Sequence, residues 1–466
     1  MYRGRILRKV IPLFFILLTW DSQALLPWEE SQALEGIWRV RGYGRILVIS
    51  RDGYANYDTT AISCKQIGHG TRDDLNNIFD RFEKDGNDRL SMYSRGGITR
   101  YTYDRLATLP EICQKGAGIE AKDPEHNFEV FWRAFKENYA FFPLHNVDWD
   151  RVYKTYRPRI SAKTTEDELL AVFSEIIKSL HDPHVSLAAG DKFVGSVEPD
   201  AMAKIVAKEF ASVPAEERFF KVLEKLRSVI KNDFLNGQCE TAANNMIVWG
   251  KIKPDIGYLN VFVMGGYAGL EASRTEDIDV LKKTLDRVMD NFRKVDAVVV
   301  DVRFNTGGYD ALSLMIANRF ADRKRLAYTR KAVDGGGFTQ RQEVYVQPEG
   351  PFQFTGPTYL LTSERTISAA EILALGMMTC PHVTRIGETT AGAFSATLTK
   401  SLPNGWRVDL SNEICEAADG IVYEGKGILP QFKVPVFDPD NFYPGLKLAV
   451  DKAVSLAGKD ARKMPR

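Results

Sequence analysis

The 466-residue sequence has little that would hold a metal ion or attract nucleic acid. Its five cysteines and six histidines show no Cys-x-x-Cys pair and no histidine-bearing ligand spacing, which argues against a zinc site. The 62 basic and 61 acidic residues leave a formal net charge of +1, so no global field favours nucleic acid as a partner. With 44% hydrophobic and 26% charged residues, the composition excludes a disordered chain. We therefore expect a globular protein without a metal or other cofactor.

Long apolar runs are also missing, and the one notable run lies at the amino terminus. Basic residues at positions 3, 5, 8 and 9 precede 11 apolar-rich residues from Val10 to Trp20 and a small-residue site that ends at Ala24. Because a bilayer span takes about 20 residues, this pattern favours a cleaved secretory signal peptide over residues 1–24 rather than an uncleaved anchor. We expect a secreted or periplasmic protein with no stable membrane span after cleavage.

Export would place the five cysteines in an oxidising compartment, where disulfides persist. The pairs Cys64–Cys113 and Cys380–Cys415 would each join residues of one predicted domain and leave Cys239 unpaired. The spacing does not fix this connectivity. Buried free thiols that pack as small hydrophobic groups are the alternative.

The hydrophobic pattern changes along the chain. Residues 25–116 alternate short apolar runs with turn residues, which predicts a small antiparallel β domain. Residues 117–190 predict a helical domain, because an apolar stripe from Phe128 to Tyr139 has helical spacing. A second helix in this domain begins at the capping box that starts with Thr165.

The second half of the chain predicts the largest domain. Residues 191–250 are charged and helix-rich, and we interpret them as a helical connector or lid. Residues 251–440 alternate buried strands, such as Ala297–Asp301, with helices, which predicts a layered α/β domain. The Asn404–Gly405 turn indicates a hairpin, so part of the sheet should be antiparallel. Residues 441–466 predict a C-terminal helix and tail.

Ser368 lies at the predicted start of an apolar helix, and two interpretations fit it. In Ser-Ala-Ala-Glu371 it can form a capping box, which contributes on the order of 1 kcal/mol. Alternatively, its hydroxyl is a nucleophile beside the unpaired N–H groups and the positive dipole end of the helix, where an oxyanion is stabilised. A serine nucleophile also needs a base.

Three other positions could take part in such chemistry. His184 follows a helix end and a rigid Asp-Pro step at a predicted domain junction, although a histidine in this setting is, taken alone, more often structural. The strand that ends at Asp301 leads to Gly307 and Gly308, where the backbone can approach a bound group closely, but no phosphate-loop motif is present. Glu424 lies among glycines and apolar residues, an unusual setting for a solvated charge.

Taken in order, these motifs resemble the C-terminal-processing (tail-specific) serine protease family, in its tricorn-core-like branch. The resemblance covers roughly residues 120–436 and implies an α/β fold: a layered crotonase/ClpP-like catalytic core with an adjoining helical region, next to the small β domain. The motifs are Leu180-His-Asp-Pro-His184, Asp301-x-Arg-x-Asn-x-Gly-Gly308, Ser368-Ala-Ala-Glu371, Gly387-Glu-Thr-Thr-Ala-Gly392 and Glu424-Gly-x-Gly-Ile-x-Pro430.

The resemblance implies that Ser368 is the nucleophile, His184 the base and Glu424 the residue that orients the base. The processing branch uses a lysine base in a Gly-Lys pair, but here alanine follows Gly392, so the serine-lysine dyad is missing. In tricorn-like proteins a serine often precedes the histidine, whereas this chain has Pro183. Because that serine assists the glutamate, the resemblance alone does not fix the orientation of Glu424.

The same resemblance implies an oxyanion hole formed by the N–H of Gly307 or Gly308 and that of Ala369. We expect an exported serine peptidase that hydrolyses peptide or protein substrates through an acyl-enzyme. Residues 191–250 show no peptide-binding PDZ domain, which many relatives carry. The alternative is a catalytically inactive family member that acts as an apolar-ligand or protein-binding module.

Overall fold

The computed structural model describes residues 26–27, 34–114, 119–269, 271–437 and 442–460. The predicted signal peptide lies outside the described residues. Within the described part of the chain, no helix is both long and apolar enough to cross a membrane. An N-terminal antiparallel sheet, a helical region and a mixed α/β core follow one another along the chain, as predicted.

The N-terminal domain is an eight-stranded antiparallel sheet with strand order β1-β6-β7-β8-β2-β3-β4-β5. Apolar side chains such as Trp38, Phe82 and Met92 are fully buried on its inner face. The short apolar runs from which the sheet was predicted are its strands, and the turn residues between them join neighbouring strands. Its elements are β1 (Leu26–Pro27), β2 (Gly36–Val40), β3 (Arg45–Ile49), β4 (Gly53–Thr60), β5 (Ser63–Thr71), α1 (Arg72–Ile78), β6 (Phe79–Asp85), β7 (Arg89–Ser94), β8 (Arg100–Leu106) and α2 (Glu111–Gln114).

One of the two predicted disulfides is present. Cys64 in β5 and Cys113 in α2 are bonded, which confirms the first pairing. The second pairing is wrong, because Cys380 and Cys415 are buried free thiols. Cys380 follows a helix of the core and Cys415 lies on a strand of a separate sheet, so membership of one domain did not bring their sulfurs together. Cys239 is also free, as predicted.

The helical region packs through aromatic side chains. The predicted stripe buries Phe128, Phe131 and Phe135, and the ring of Phe131 stacks on that of Phe173 at 4.1 Å between centroids. Thr165 caps the third helix in the predicted capping box. The elements are α3 (Pro124–Asn138), α4 (Trp149–Tyr156), α5 (Glu166–Lys178), β9 (Ser186–Ala189), β10 (Lys192–Gly195), α6 (Ala201–Glu209) and α7 (Ala215–Val229).

The core is built on a seven-stranded sheet with strand order β11-β12-β13-β14-β18-β19-β23. Strands from β13 to β23 in this order are parallel and the first two are antiparallel, so the sheet is mixed, as predicted. Its strands are β11 (Cys239–Ala242), β12 (Ile247–Lys253), β13 (Ile256–Val261), β14 (Ala297–Asp301), β18 (Thr358–Thr362), β19 (Val383–Gly387) and β23 (Phe432–Lys433). Because β11 and β12 join this sheet, the helical connector is shorter than the predicted residues 191–250.

Helices and two smaller sheets cover the central sheet. One small sheet has the order β10-β9-β21-β20, and in the other β15 pairs with β16, β17 and β22. The hairpin predicted at Asn404–Gly405 joins β20 to β21. The remaining elements are α8 (Arg274–Asn291), α9 (Asp310–Asn318), β15 (Arg325–Asp334), β16 (Gly337–Phe338), β17 (Gln342–Val346), α10 (Ala369–Met378), β20 (Thr397–Ser401), β21 (Arg407–Ser411), β22 (Glu413–Ala417) and α11 (Phe442–Asp460).

A buried lysine holds the N-terminal sheet against the core. Lys400 in β20 is 2% exposed, and its Nζ donates to the carbonyl of Gly44 at 2.6 Å and that of Thr59 at 3.3 Å. The same ammonium pairs with the buried carboxylate of Asp58 at 3.3 Å. A buried charge is tolerated only with such partners, so the contact fixes the position of the β domain on the core.

The disulfide should stabilise this β domain. Replacing both Cys64 and Cys113 by serine removes a cross-link between residues 49 apart in sequence. The lost constraint on the unfolded chain should lower the free energy of unfolding by about 4 kcal/mol. Urea denaturation measures the change, with Cys239→Ser, which removes a half-buried free thiol, as the control. Equal midpoints for the double variant and the wild type would contradict the prediction.

Candidate active site

Ser368 lies in the turn between β18 and α10 and has a strained backbone. Its φ of +59° and ψ of −126° belong to a region that residues with a side chain rarely adopt. By contrast, Thr71, Thr165 and Ser273 begin capping boxes with φ between −69° and −74°. Half of the predicted capping box is present, since the amide of Ser368 donates to Glu371 at 3.3 Å, whereas the amide of Glu371 donates to the Ser368 carbonyl rather than to its hydroxyl. An ordinary cap does not require the strain at Ser368. Strain of this kind clusters at active sites.

A buried carboxylate holds Ser368 and the neighbouring loop together. One oxygen of Glu371 accepts hydrogen bonds from the amides of Ser368 at 3.3 Å and Ala393 at 2.7 Å. The other oxygen accepts from the amide of Gly392 at 2.7 Å. Burial raises the pKa of Glu371 to about 7, although these hydrogen bonds act in the opposite direction. The carboxylate therefore ties the start of α10 to the segment after Gly392.

Two of the three predicted oxyanion donors are free to bind a ligand. The N–H of Gly307 donates to the side-chain oxygen of Asn305 at 2.9 Å, within its own turn. In the part of the chain that the structure describes, the N–H groups of Gly308 and Ala369 donate to no acceptor. Gly307 itself packs against Ser368, since a Cβ at Gly307 would lie 2.6 Å from the Cβ of Ser368. The geometry thus favours Gly308 over Gly307 as the first donor.

His184 lies on the loop between α5 and β9, and its ring contacts the main chain of Ser395. The backbone N–H of His184 donates to the carboxylate of Asp182 at 2.9 Å. The buried ring nitrogen Nδ1 of His184 has no hydrogen-bond partner among the described residues. Burial lowers the pKa of His184 below 6.5, and the charge of Asp182 offsets part of this shift. The imidazole is consequently neutral near pH 7, the form that a general base needs.

Glu424 is 2% exposed, and its carboxylate binds the segment around Ser395 that the ring of His184 also contacts. One of its oxygens accepts from the amides of Phe394 at 2.9 Å and Ser395 at 3.0 Å. Burial raises the pKa of Glu424 well above its usual range, and the nearby Asp182 raises it further.

Segment 393–395 contacts all three residues of the predicted catalytic set. The Ala393 carbonyl accepts from the amide of Ser368 at 3.1 Å, and the next two residues contact Glu424 and His184. Among the hydrogen bonds of the described residues, none joins His184 to Ser368 or to Glu424. The structure therefore brings the predicted residues around one segment without the direct hydrogen bonds that the sequence led us to expect.

Two charged groups near the site had no functional assignment from the sequence. Asp182 is buried next to His184 and accepts from the hydroxyls of Tyr139 at 2.9 Å and Ser411 at 3.2 Å. It belongs to the Leu-His-Asp-Pro-His motif, which was the available signal. Arg330 is 4% exposed in β15, and a strand pattern gives no indication that it faces a site.

A cleft of about 260 Å³ opens at Ser368. His184 and Glu424 do not belong to its described lining residues. No group of three or more His, Cys, Asp or Glu side chains among the described residues is arranged to hold a metal ion. The lining comes from the core, the segment after Gly392 and the β domain, and includes Ser94, Thr99, Tyr101, Arg274, Gly308, Asp310, Arg330, Ser368, Phe394 and Ser395.

Comparison with known proteins gives the family. Residues 255–434 match peptidase family S41, and residues 120–178 match the tricorn protease C1 domain. The larger part of the core therefore resembles peptidase family S41, which includes C-terminal processing proteases. The carboxy-terminal processing protease CtpA of Bacillus subtilis (strain 168) is 24% identical over 317 residues, which cover 63% of this chain and 65% of CtpA. The match thus spans slightly less than two thirds of this S41 relative.

Solved structures confirm the fold. A peptidase-like protein from Parabacteroides merdae is 23% identical, with a TM-score of 0.57 over 72% of this chain and 96% of its own. Mature CPAF, solved in complex with lactacystin, is 11% identical, with a TM-score of 0.50 over 74% of this chain and 99% of its own. The predicted S41-like α/β architecture is therefore confirmed.

The contact between Gly307 and Ser368 can be tested directly. Gly307→Ala should displace Ser368 and lower the rate of its labelling by a fluorophosphonate probe by about 100-fold, the loss expected when oxyanion stabilisation is disturbed. Gly405→Ala is the matched control, because both glycines have a φ of +93° and no atom lies within 4 Å of a Cβ at Gly405. Equal labelling rates for the two variants would contradict the proposed close approach.

Proposed function

We propose that this protein is an exported serine peptidase that hydrolyses peptide or protein substrates through an acyl-enzyme. Ser368 is the nucleophile, His184 the base and Glu424 the residue that orients His184. The observation that carries the proposal is the strained backbone of Ser368, which lies at the N-terminus of a buried helix beside the free N–H groups of Gly308 and Ala369. The resemblance to peptidase family S41 supports the same chemistry.

The reaction follows from the chemistry of these groups. A neutral serine hydroxyl is a weak nucleophile, so His184 takes the proton of Ser368 as its oxygen attacks the peptide carbonyl. The N–H groups of Gly308 and Ala369 bind the resulting oxyanion. His184 then gives the proton to the leaving amine, and water hydrolyses the acyl-enzyme with the same histidine as base.

Catalysis in this proposal requires a shift of segment 393–395. The amides of Phe394 and Ser395 now occupy one oxygen of Glu424, and the ring of His184 contacts the main chain of Ser395. Because apo active sites often tighten only when substrate binds, peptide binding supplies the energy for this shift. Glu424 then exchanges amide donors for the imidazole.

A second function has one observation in its favour. The hydrogen bonds of the described residues include none between His184 and Ser368. A catalytically inactive family member that binds an apolar ligand or a protein would have no need for that contact. The strain at Ser368 favours the peptidase, because a binding module gains nothing from a strained serine.

Export is supported by chemistry as well as by the predicted signal peptide. The Cys64–Cys113 disulfide forms and persists in oxidising compartments. A secreted or periplasmic location fits this bond.

The assignment of nucleophile and base predicts distinct effects of two variants. Ser368→Ala should abolish labelling by a fluorophosphonate and peptide hydrolysis. His184→Ala should lower kcat by about 10²- to 10⁴-fold, the usual contribution of a general base. His181→Ala, which removes an exposed histidine three residues away, is the control and should retain activity. A folded wild type that is neither labelled nor active would favour the binding module, and full activity in His184→Ala would exclude His184 as the base.

The lowered pKa of His184 predicts the pH profile. A histidine base works in its neutral form, which is present above its pKa. Because burial lowers that pKa below 6.5, the acid limb of kcat/KM should have its midpoint below pH 6.5. Asp182→Asn removes a charge that raises the pKa, so the midpoint should move to still lower pH.

The titration of Glu371 must be distinguished from that of His184, because the pKa of Glu371 is about 7. Its neutral variant Glu371→Gln should keep the acid limb of the profile if His184 is the base. Loss of that limb in Glu371→Gln would assign it to Glu371 instead.

A further inference from the structure

The β domain contains a cavity of about 180 Å³ between its sheet and α1. Most of its lining is apolar or aromatic, although the side chain of Arg45 also reaches it. The charge of Arg45 is compensated, because its Nε donates to the carboxylate of Asp58 at 3.3 Å. We call this cavity the side-chain pocket. Its lining includes Val40, Leu47, Tyr54, Ile78, Phe79 and Tyr103.

The side-chain pocket adjoins the cleft at Ser368. Ser94 and Tyr101 line both spaces. On the cleft side, Arg274 donates to the hydroxyl of Ser94 at 3.3 Å and to the carbonyl of Arg95 at 3.2 Å. The β domain therefore forms one wall of the cleft. The side-chain pocket lies inside the β domain, directly behind Ser94 and Tyr101 of that wall.

The two spaces differ in chemistry. The cleft presents charged side chains, of which Arg330 and Asp310 form an ion pair at 2.6 Å. A peptide backbone, with its polar N–H and C=O groups, suits the cleft. The side-chain pocket suits an apolar group, because binding there removes apolar surface from water.

The size of the side-chain pocket selects among apolar groups. An apolar protein cavity of about 150 Å³ is known to hold benzene, and this pocket is somewhat larger at about 180 Å³. A phenyl ring therefore fits it. An alanine side chain would leave most of the space empty and would lose most of the contact.

The side-chain pocket also has a fixed position relative to Ser368. Lys400 and Asp58 lock the β domain to the core, and the hydroxyl of Tyr43 donates to the core residue Glu413 at 2.5 Å. Arg330 in the cleft donates to the hydroxyl of Thr99 in the β domain at 2.6 Å. A binding pocket can define specificity only when its distance to the nucleophile is set in this way.

From these observations we infer that the side-chain pocket of the β domain binds an aromatic side chain of the peptide that is cleaved at Ser368. The inference rests on the proposed peptidase function and adds the substrate class to it. The β domain, whose role the sequence left open, is then the specificity domain of the enzyme.

The test compares peptides and pocket variants. In a peptide series, a single phenylalanine is moved through each position on both sides of the cleaved bond and compared with alanine at that position. At one position phenylalanine should raise kcat/KM of the wild type by about 10- to 100-fold, as expected for burial of one aromatic ring. Ile78→Trp fills the pocket from its half-exposed edge and should remove at least nine tenths of this preference while leaving the alanine peptide within about twofold.

A matched variant and an independent readout complete the design. Ile67→Trp enlarges an isoleucine of the same domain with similar exposure, 37% against 40% for Ile78, outside the pocket. It should retain the phenylalanine preference. Labelling of Ser368 by a small fluorophosphonate reports on the nucleophile alone and should be equal in all three proteins.

The outcomes separate the two proposals. A wild type that is not labelled overturns the peptidase function and this inference with it. A labelled wild type that treats phenylalanine and alanine alike at every position overturns the pocket alone. The same holds if Ile78→Trp keeps the preference, or if it lowers kcat/KM equally for all peptides, because the cavity would then be a packing void.

Discussion

The carboxylate of Glu371 is the contact on which the arrangement at Ser368 depends. It is fully buried and accepts a hydrogen bond from the amide of Ser368 at the N-terminus of α10. It also accepts hydrogen bonds from the amides of Gly392 and Ala393, which lie on a separate segment of the chain. Those donors and the positive end of the helix offset the cost of burying a charge. Its pKa of about 7 shows that the offset is incomplete. One side chain thereby holds both the strained serine and the segment that His184 also contacts.

This constraint also explains how the chain differs from relatives with a serine-lysine dyad. The position after Gly392 is Ala393, whose amide binds Glu371 and whose carbonyl binds Ser368. Lys400 cannot replace the missing base, because its ammonium is held by Asp58 and by carbonyls of the β domain. Histidine is the remaining base near the site. In the proposed mechanism His184 takes this role, because burial lowers its pKa and favours the neutral imidazole, and its ring contacts the main chain of Ser395.

The β domain and the core form one functional unit. Buried charges rarely face another domain unless they are paired there. Lys400 makes such a pair with Asp58, and Tyr43 and Arg330 make hydrogen bonds across the same boundary. The cleft consequently has one wall from each domain. Many processing proteases carry a PDZ domain between the helical region and the core, and in this chain α6 and α7 lie at that place in the sequence.

The sequence by itself determined the features that depend on neighbouring residues. Helical periodicity, capping and alternation act over a few positions, and they located α10 at Ala369–Met378, the strand Ala297–Asp301 and the Asn404–Gly405 hairpin. Only the tertiary structure decided that Cys380 and Cys415 stay apart, that Gly308 rather than Gly307 has a free N–H, and that segment 393–395 lies between the predicted catalytic groups. These features arise from contacts between distant parts of the chain, whose distances are set by packing and leave no periodic trace in the sequence.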